Sequence, residues 1–426
     1  MAIGQTTYYR ASAPVYTPFA ALSGRRETRV CIVGGGFAGL NTALGLAERG
    51  LRDVVLLEAR ELAHGAAGRN GGFVFAGFSR GPARLLRDLG PARARALYGG
   101  TVDAVNLIRA RIHRHAIACE PTDAGVYWAN WFRNPKLLHD HQRMLADAFG
   151  AHWRFVPRAE FRELVRSERY HDALFEPDAL HFHPLTYAHG LAAVAAGEGV
   201  ELHEHSPAVA LERRGTGWRV TTPEGVVDAE QVVLACGGYL AGLRREIDAG
   251  VLPIATYVMA TEPLGERMAD ALRTNAAVYD TRFAFDYYRP LPDTRLLWGG
   301  RISVLDRSPD AVRKLLLRDL LKVFPQLQGV RVESAWSGLM SYARHEMPQV
   351  GVLEPGLWFA QAFGGHGVAP TTFAGEVLAA AIAEGDERWK EFSAYGLVSA
   401  FKPLAYLGAQ LSYWGYACAD WVREHT

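Results

Sequence analysis

Three glycines, Gly34, Gly36 and Gly39, stand as G-x-G-x-x-G between an apolar run, "RVCIV", and a helix-like stretch, "AGLNTALGLAERG". In that context the first glycine makes a tight turn, the second lets a pyrophosphate approach backbone N–H groups, and the third lets helix and strand pack closely. Glu58 ends the next apolar run, "DVVLLE", 19 positions past Gly39, where a carboxylate can accept the ribose hydroxyls of a dinucleotide. Two further glycine clusters narrow the ligand. "HGAAGRNGG" (64–72) supplies pliable backbone directly after Glu58, and "FGGHGV" (363–368) supplies a second helix start. A helix N-terminus favours negative charge, which a reduced flavin develops at its N1/C2 carbonyl edge. Both ends of the chain are therefore expected to hold one extended FAD. "CGGYLAG" has the wrong spacing for a second fingerprint, so no NADPH site is expected and the electrons should come from the substrate.

The elements that position these residues follow from pattern. "RVCIV", the helix and "DVVLLE" form a βαβ start, which a long helical region ("RGPARLLRDLG" to "IRARIHRH") interrupts. Strand-like runs return at "GVELHEH", "PAVALERR", "GWRVTTPEG" and "QVVLACGG", the last apolar on both faces as in a buried parallel sheet. "PIATYVMATEPL", "FAFDYYRPL" and "TRLLWGGR" are aromatic and broken by Pro and Gly, and predict a more antiparallel second sheet. The expected fold is α/β (α+β overall), an interrupted Rossmann-like FAD-binding domain interwoven with a mixed or antiparallel-sheet substrate domain. The first takes residues 27–85, 152–245 and 337–395, and the second 86–151 and 246–336. Residues 1–26 form an N-terminal arm and 396–426 a C-terminal helical extension.

The chain has 426 residues, enough for two domains, with 49% hydrophobic and 21% charged residues. A net charge of +1 gives no reason to expect nucleic acid as a partner. Cys31, Cys119, Cys236 and Cys418 form no CxxC and read as buried free thiols of a reducing compartment. The start lacks a basic flank with an apolar run behind it, and "PLAYLGAQLSYWGYACADW" is too short and too polar to span a bilayer. A cytoplasmic protein is expected, with that aromatic tract packed on the protein itself or lying on a membrane surface. Its oligomeric state is open. The pairs His181/His183 and His203/His205 are compatible with zinc but lack a third ligand at suitable spacing, so no metal is expected.

With "YYRAS", "VCIVGGGFAGL", "GAAGRNGG", "HFHPL", "SPAVALER", "ATEPLG", "DYYR", "FPQL", "PQVG" and "GGHGV" in place, the chain resembles the D-amino acid oxidase (DAO) superfamily nearly end to end. Within it the pattern is similar to the gamma-glutamylputrescine oxidase group. The resemblance implies FAD, two domains, and oxidation of a primary or secondary amine to an imine that water hydrolyses to an aldehyde, in polyamine (putrescine) breakdown. In amino-acid-oxidising relatives an arginine after the "W-x-G" element pairs with the substrate carboxylate. Met340 falls there, unless a slip in register leaves Arg344 as a stand-in. A methionine cannot offset the desolvation of a carboxylate.

The expected reaction is hydride transfer to flavin N5 from a carbon bearing a neutral amine, held about 3 to 3.5 Å away. O2 or another acceptor would take the electrons, with H2O2 as the product of the first. The cofactor-binding set is Gly34, Gly36, Phe37, Ala38, Gly39, Glu58, Ala59, Gly68, Arg69, Asn70, Gly71, Gly72, Val209, Gly237, Gly364, Gly365, His366, Gly367 and Val368. Arg69 and Asn70 would lie beside the ring. Tyr287, Tyr288 and Arg289 would roof it, with Arg301 a further candidate from the same sheet, or these are core and surface residues. His366, Arg69, Tyr287 and Arg301 are the catalytic candidates. His366 either supplies positive charge to the reduced flavin or to oxygen, or only its backbone matters. None of the five lysines falls in a flavin or pocket segment, and residues 336–351 hold no cysteine, so the FAD should be dissociable. An amino acid oxidase of glycine, sarcosine or D-amino acid type, a quinone-linked dehydrogenase at a membrane, and a flavin protein without turnover are the competing readings.

Overall fold

Apolar runs with β-branched residues on both faces need cover on both sides, and the first sheet is built from them. In the computed structural model, which describes residues 7–283, 285–304 and 307–425, the strand Gly24–Val33 lies at its centre. It pairs in parallel with Gly225–Leu234 on one side and Val54–Leu57 on the other. Glu201–His203 extends the parallel order beyond Val54–Leu57, and Leu357–Gln361 extends it beyond Gly225–Leu234. Antiparallel strands Gln349–Glu354, Gly217–Thr221 and Ala210–Arg214 complete an eight-stranded sheet.

Two helices cover this sheet side by side. In Phe37–Glu48 and Val368–Glu384, a Cβ on Gly375 would come within 2.6 Å of Asn41 Cβ, and one on Gly45 within 2.9 Å of Ala379 Cβ. Asn41 thus faces Gly375 and Gly45 faces Ala379, so the helices run parallel and both begin at the same end. The carboxyl ends of the central strands lead to that end. Arg111, from the helix Pro82–Arg114, braces the pair: it is buried and donates to Asn41 Oδ1 (2.7 Å), Glu48 Oε2 (2.6 Å) and Glu376 Oε1 (2.5 Å). That long helix breaks at Gly90, where φ is +74°, ahead of Pro91.

The second sheet also has eight strands, in the order Val332–Tyr342, Leu252–Thr261, Leu296–Ser303, Asp286–Pro290, Ala277–Asp280, Val126–Ala129, Ala173–Glu176, Arg154–Val156. Its pairings are antiparallel except that between Val126–Ala129 and Ala277–Asp280. Two expected boundaries move: residues 154–176, given to the nucleotide-binding part, supply strands here, and residues 337–342 belong to this sheet's edge strand. The helix Pro309–Val323 covers its back, packing Val312, Leu316 and Leu320 against Tyr257, Met259 and Trp298. Its front faces the first sheet's cradle through Val258, Leu297 and Trp336.

The arm's residues 7–26 are anchored, with Tyr9 buried edge-on against Trp336 (5.5 Å) and His183 (4.8 Å). Residues 1–6 of the arm, and Ala284 in "FAFDYYRPL", lie outside the described residues. The aromatic tract forms the helix Lys402–His425. Its inner face holds Tyr406, Ala409 and Gln410, and Tyr416, itself exposed, stacks on Phe283, while Leu407, Leu411 and Trp414 are exposed on the other face. Packing on the protein thus accounts for one face only. All four cysteines are free, but Cys418 is exposed and Cys236 half-buried, which corrects the expectation of four buried thiols. Among the described residues no helix is long and apolar enough to cross a membrane, and no group of side chains could hold a metal ion. His181 and His183 serve packing instead. His181 Nε2 meets Asn275 O at 2.8 Å, and His183 Nδ1 caps the helix Pro184–Gly197 by accepting from Thr186 N.

Candidate active site

The turn after Gly24–Val33 leaves no room for side chains. A Cβ on Gly34, whose φ is +113°, would sit 2.6 Å from Ala235 O, and one on Gly39 would sit 1.9 Å from Gly34 O. Only glycine lets strand, turn and helix close this tightly. Gly36 is different: the nearest atom to its missing Cβ is 3.9 Å away, so space opens above the start of Phe37–Glu48. Neither Gly36 nor Gly367 gives a side-chain cap to the helix it starts. Two parallel helices therefore present uncapped N–H groups at one end, including those of Phe37, Ala38 and Val368. Such donors fit the anionic groups of a flavin dinucleotide.

Glu58 is the residue that would face the adenosine end of a bound dinucleotide. Its Oε2 accepts from Gly35 N (2.8 Å) and its Oε1 from Arg60 N (3.0 Å), next to exposed Ala59. Burial raises its pKa, while the Arg60 and Gly35 N–H groups act to lower it. Each oxygen keeps a lone pair for a ribose hydroxyl. Gly237, at φ +56°, follows the neighbouring strand Gly225–Leu234. Val209 is 60% exposed, and its N–H donates to Thr221 O (2.8 Å).

The loop 64–72 folds on itself. Asn70 Nδ2 donates to Ala66 O and Ala67 O, and its Oδ1 accepts from Gly72 N (2.7 Å). Arg69 Nε donates to His64 O (2.9 Å), and Trp336 Nε1 donates to Arg69 O (2.9 Å). These two side chains shape the loop, including Gly68 and Gly71. A Cβ on Gly71 would lie 2.6 Å from the Tyr287 ring and one on Gly299 2.1 Å from it, so glycines at 71 and 299 make the slot for Tyr287. Burial raises the Tyr287 hydroxyl pKa.

The strand Val332–Tyr342 turns Trp336, Gly338, Met340 and Tyr342 to the front. Gly338 lies against Arg69, its missing Cβ 3.4 Å from Arg69 Cβ. Met340 Sδ is 3.3 Å from where a Cβ on Gly365 would be, and the Tyr342 hydroxyl accepts from Gly365 N (2.9 Å). This strand spans from the loop 64–72 to the loop Gly364–Gly367, the two ends of the cleft.

Four expected pocket residues lie elsewhere. Tyr288 points to the back, stacked on Trp298 at 4.5 Å, because neighbours on a strand face opposite ways. Arg289 is buried and donates to Gly71 O (2.7 Å) and Phe182 O (2.8 Å), a strut between roof and cradle. Arg301 has φ +60° at a register shift and turns back to a bidentate pair with Asp319 (2.7 and 2.8 Å). Arg344 is exposed, with its guanidinium 6.0 Å from the Phe401 ring. Of the two roles expected of His366, supplying positive charge or acting through its backbone alone, its burial weighs against the first. Burial takes its pKa down to about 4, and Nε2 donates to Phe75 O (3.1 Å), as a neutral ring does. Sequence reading missed Tyr342, Trp336, and the stack of Phe75 on Tyr279 beside His366. The alternation of "AWSGLMSY" held the signal for the first two.

A family model described as FAD dependent oxidoreductase (DAO) matches residues 29–381. The chain belongs to this family. Gamma-glutamylputrescine oxidoreductase of Escherichia coli (strain K12) is 35% identical over 390 residues, 91% of each chain. The probable oxidoreductase OrdL of Haemophilus influenzae is 31% identical over 404 residues, 93% of this chain and 92% of its own. Glycine oxidase from Geobacillus kaustophilus shares the fold, with a TM-score of 0.73 at 21% identity over 88% of this chain and 99% of that one. The mixed α/β fold and an FAD-dependent oxidoreductase activity are those of the family.

Proposed function

We propose that the chain oxidises the carbon beside a primary or secondary amine of gamma-glutamylputrescine type, with O2 as acceptor and H2O2 as product. The FAD is held without a covalent bond, and the product imine is hydrolysed to an aldehyde in polyamine breakdown. Bound FAD supplies the hydride acceptor, N5. The chain's own residues exclude water and orient the amine: Tyr287 and Met340 line the front of the roof, and neutral His366 holds the Phe75 carbonyl.

Met340 carries the reading. It stands beside Gly365, where an oxidase of α-amino acids needs a cation, and a thioether leaves a carboxylate on the reacting carbon without compensation. The relative named for gamma-glutamylputrescine supports the same substrate class. The test is anaerobic titration of the yellow protein, then readmission of air. Bleaching by gamma-glutamylputrescine but not by glycine or D-alanine, followed by peroxide, is the expected result; bleaching by the amino acids alone refutes it. The exposed row Leu407, Leu411 and Trp414 favours one competing acceptor, a quinone at a membrane surface, which slow reoxidation in air would support.

A further inference from the structure

The C-terminal helix Lys402–His425 lies beyond the residues matched by the family model, yet it packs on the front of the roof, the side that carries Tyr287 and Met340. Ala405, Tyr406 and Ala409 gather with Ile302, Met340 and Tyr342 around Leu252, Ile254 and Ala400. The parity of the strands explains the meeting. Along Leu252–Thr261 the front residues are Leu252, Ile254, Thr256 and Val258, and along Val332–Tyr342 they are Trp336, Gly338, Met340 and Tyr342. The inner ends of both rows lie over the cradle, and the outer ends meet the helix.

Side chains pin the helix along its length. Gln410 Oε1 lies 3.4 Å from Ser303 Oγ and from Val304 N, and Tyr416 stacks on Phe283 at 4.2 Å. Asp420 accepts from Phe283 N (2.8 Å), and Glu424 accepts from Trp131 Nε1 (3.1 Å). Residues 406, 409, 410, 416, 420 and 424 recur at helical spacing, so one stripe faces the sheet throughout.

We propose that this helix is a wall of the substrate cleft and that Tyr406 sets how long an amine the cleft accepts. The proposal rests on the reading of the cleft as an amine site. Met340 touches both the Gly365 loop and the cluster that contains Tyr406. The row Met340, Ile254, Ile302 leads from the Gly365 loop to Tyr406, so an amine whose far end follows it would end against Tyr406.

The holoenzyme with Tyr406→Ala tests this through two readouts. The first is the rate at which dithionite reduces the bound flavin, which needs access and no substrate; it is expected to rise at least threefold. The second compares gamma-glutamylputrescine with butylamine. KM for the long amine is expected to rise at least fivefold, with that for butylamine unchanged. Ala409→Leu, on the same face, narrows the cleft; it is expected to slow dithionite and decides the matter if Tyr406→Ala fails to fold. Unchanged dithionite rates in the folded variants, or equal KM changes for both amines, overturn the proposal. If no amine bleaches the wild-type protein, the amine reading falls while the dithionite rates still decide whether the helix walls the cleft.

Discussion

At the residue scale the cradle tolerates almost no change. Gly39→Ala puts a methyl group 1.9 Å from Gly34 O, so turn and helix must separate and the N–H groups at the helix start are displaced. The protein is expected to be recovered colourless, with FAD affinity down at least a hundredfold by titration of the apoprotein. Met340→Arg brings a cation beside the place of the reacting amine, and kcat/KM for the amine is expected to fall at least tenfold in steady-state assays. The glycine turn was legible because its chemistry is written in backbone, which glycine spacing reports directly. Side-chain roles were less so. Period-two alternation already separates Tyr287 from Tyr288, and applying it to "DYYR" would have sent Tyr288 to the back. Arg301 had no such signal: the bulge that turns it towards Asp319 is a register shift between two strands, which depends on tertiary pairing.

At the scale of elements, the parallel contact of Phe37–Glu48 with Val368–Glu384 brings the two glycine motifs, 330 residues apart in sequence, to one end. Gly375→Ala forces them apart, since its Cβ would be 2.6 Å from Asn41 Cβ and 2.9 Å from the backbone of Asn41 and Thr42. Overpacking of this kind costs about 1–3 kcal/mol. A lower Tm and weaker FAD binding are expected together, measured by thermal melts with and without added FAD. Arg111→Ala removes the brace and leaves Glu48 and Glu376 without their cation, a loss of about 3–5 kcal/mol in denaturant unfolding. The sequence announced two helix starts for one ligand but not which faces touch. The brace was hidden as well, because its partners come from two helices far from it and from each other in sequence.

For the whole molecule, buried neutral imidazoles contribute to the acid limit. Burial lowers the pKa of His181 to about 3, and those of His141, His183 and His366 to about 4. Each folded pKa lies below the unfolded value, so the unfolded chain binds more protons in the interval between them. Stability from these rings is present in full above about pH 6.5 and is lost as pH falls towards 4. A Tm several degrees lower at pH 5 than at pH 7 is expected by calorimetry. His141→Phe should flatten that dependence, its ring being away from the cradle and packed against Trp128 and Trp153.

Arg289 reaches from the second sheet to two carbonyls of the cradle side, Gly71 O and Phe182 O. These bonds hold the roof against the cradle at this seam. The last helix is fastened too, by the ion pairs of Lys402 with Asp248 and of Glu424 with Arg169, by Asp420 on Phe283 N, and by Arg423 over the Phe132 ring.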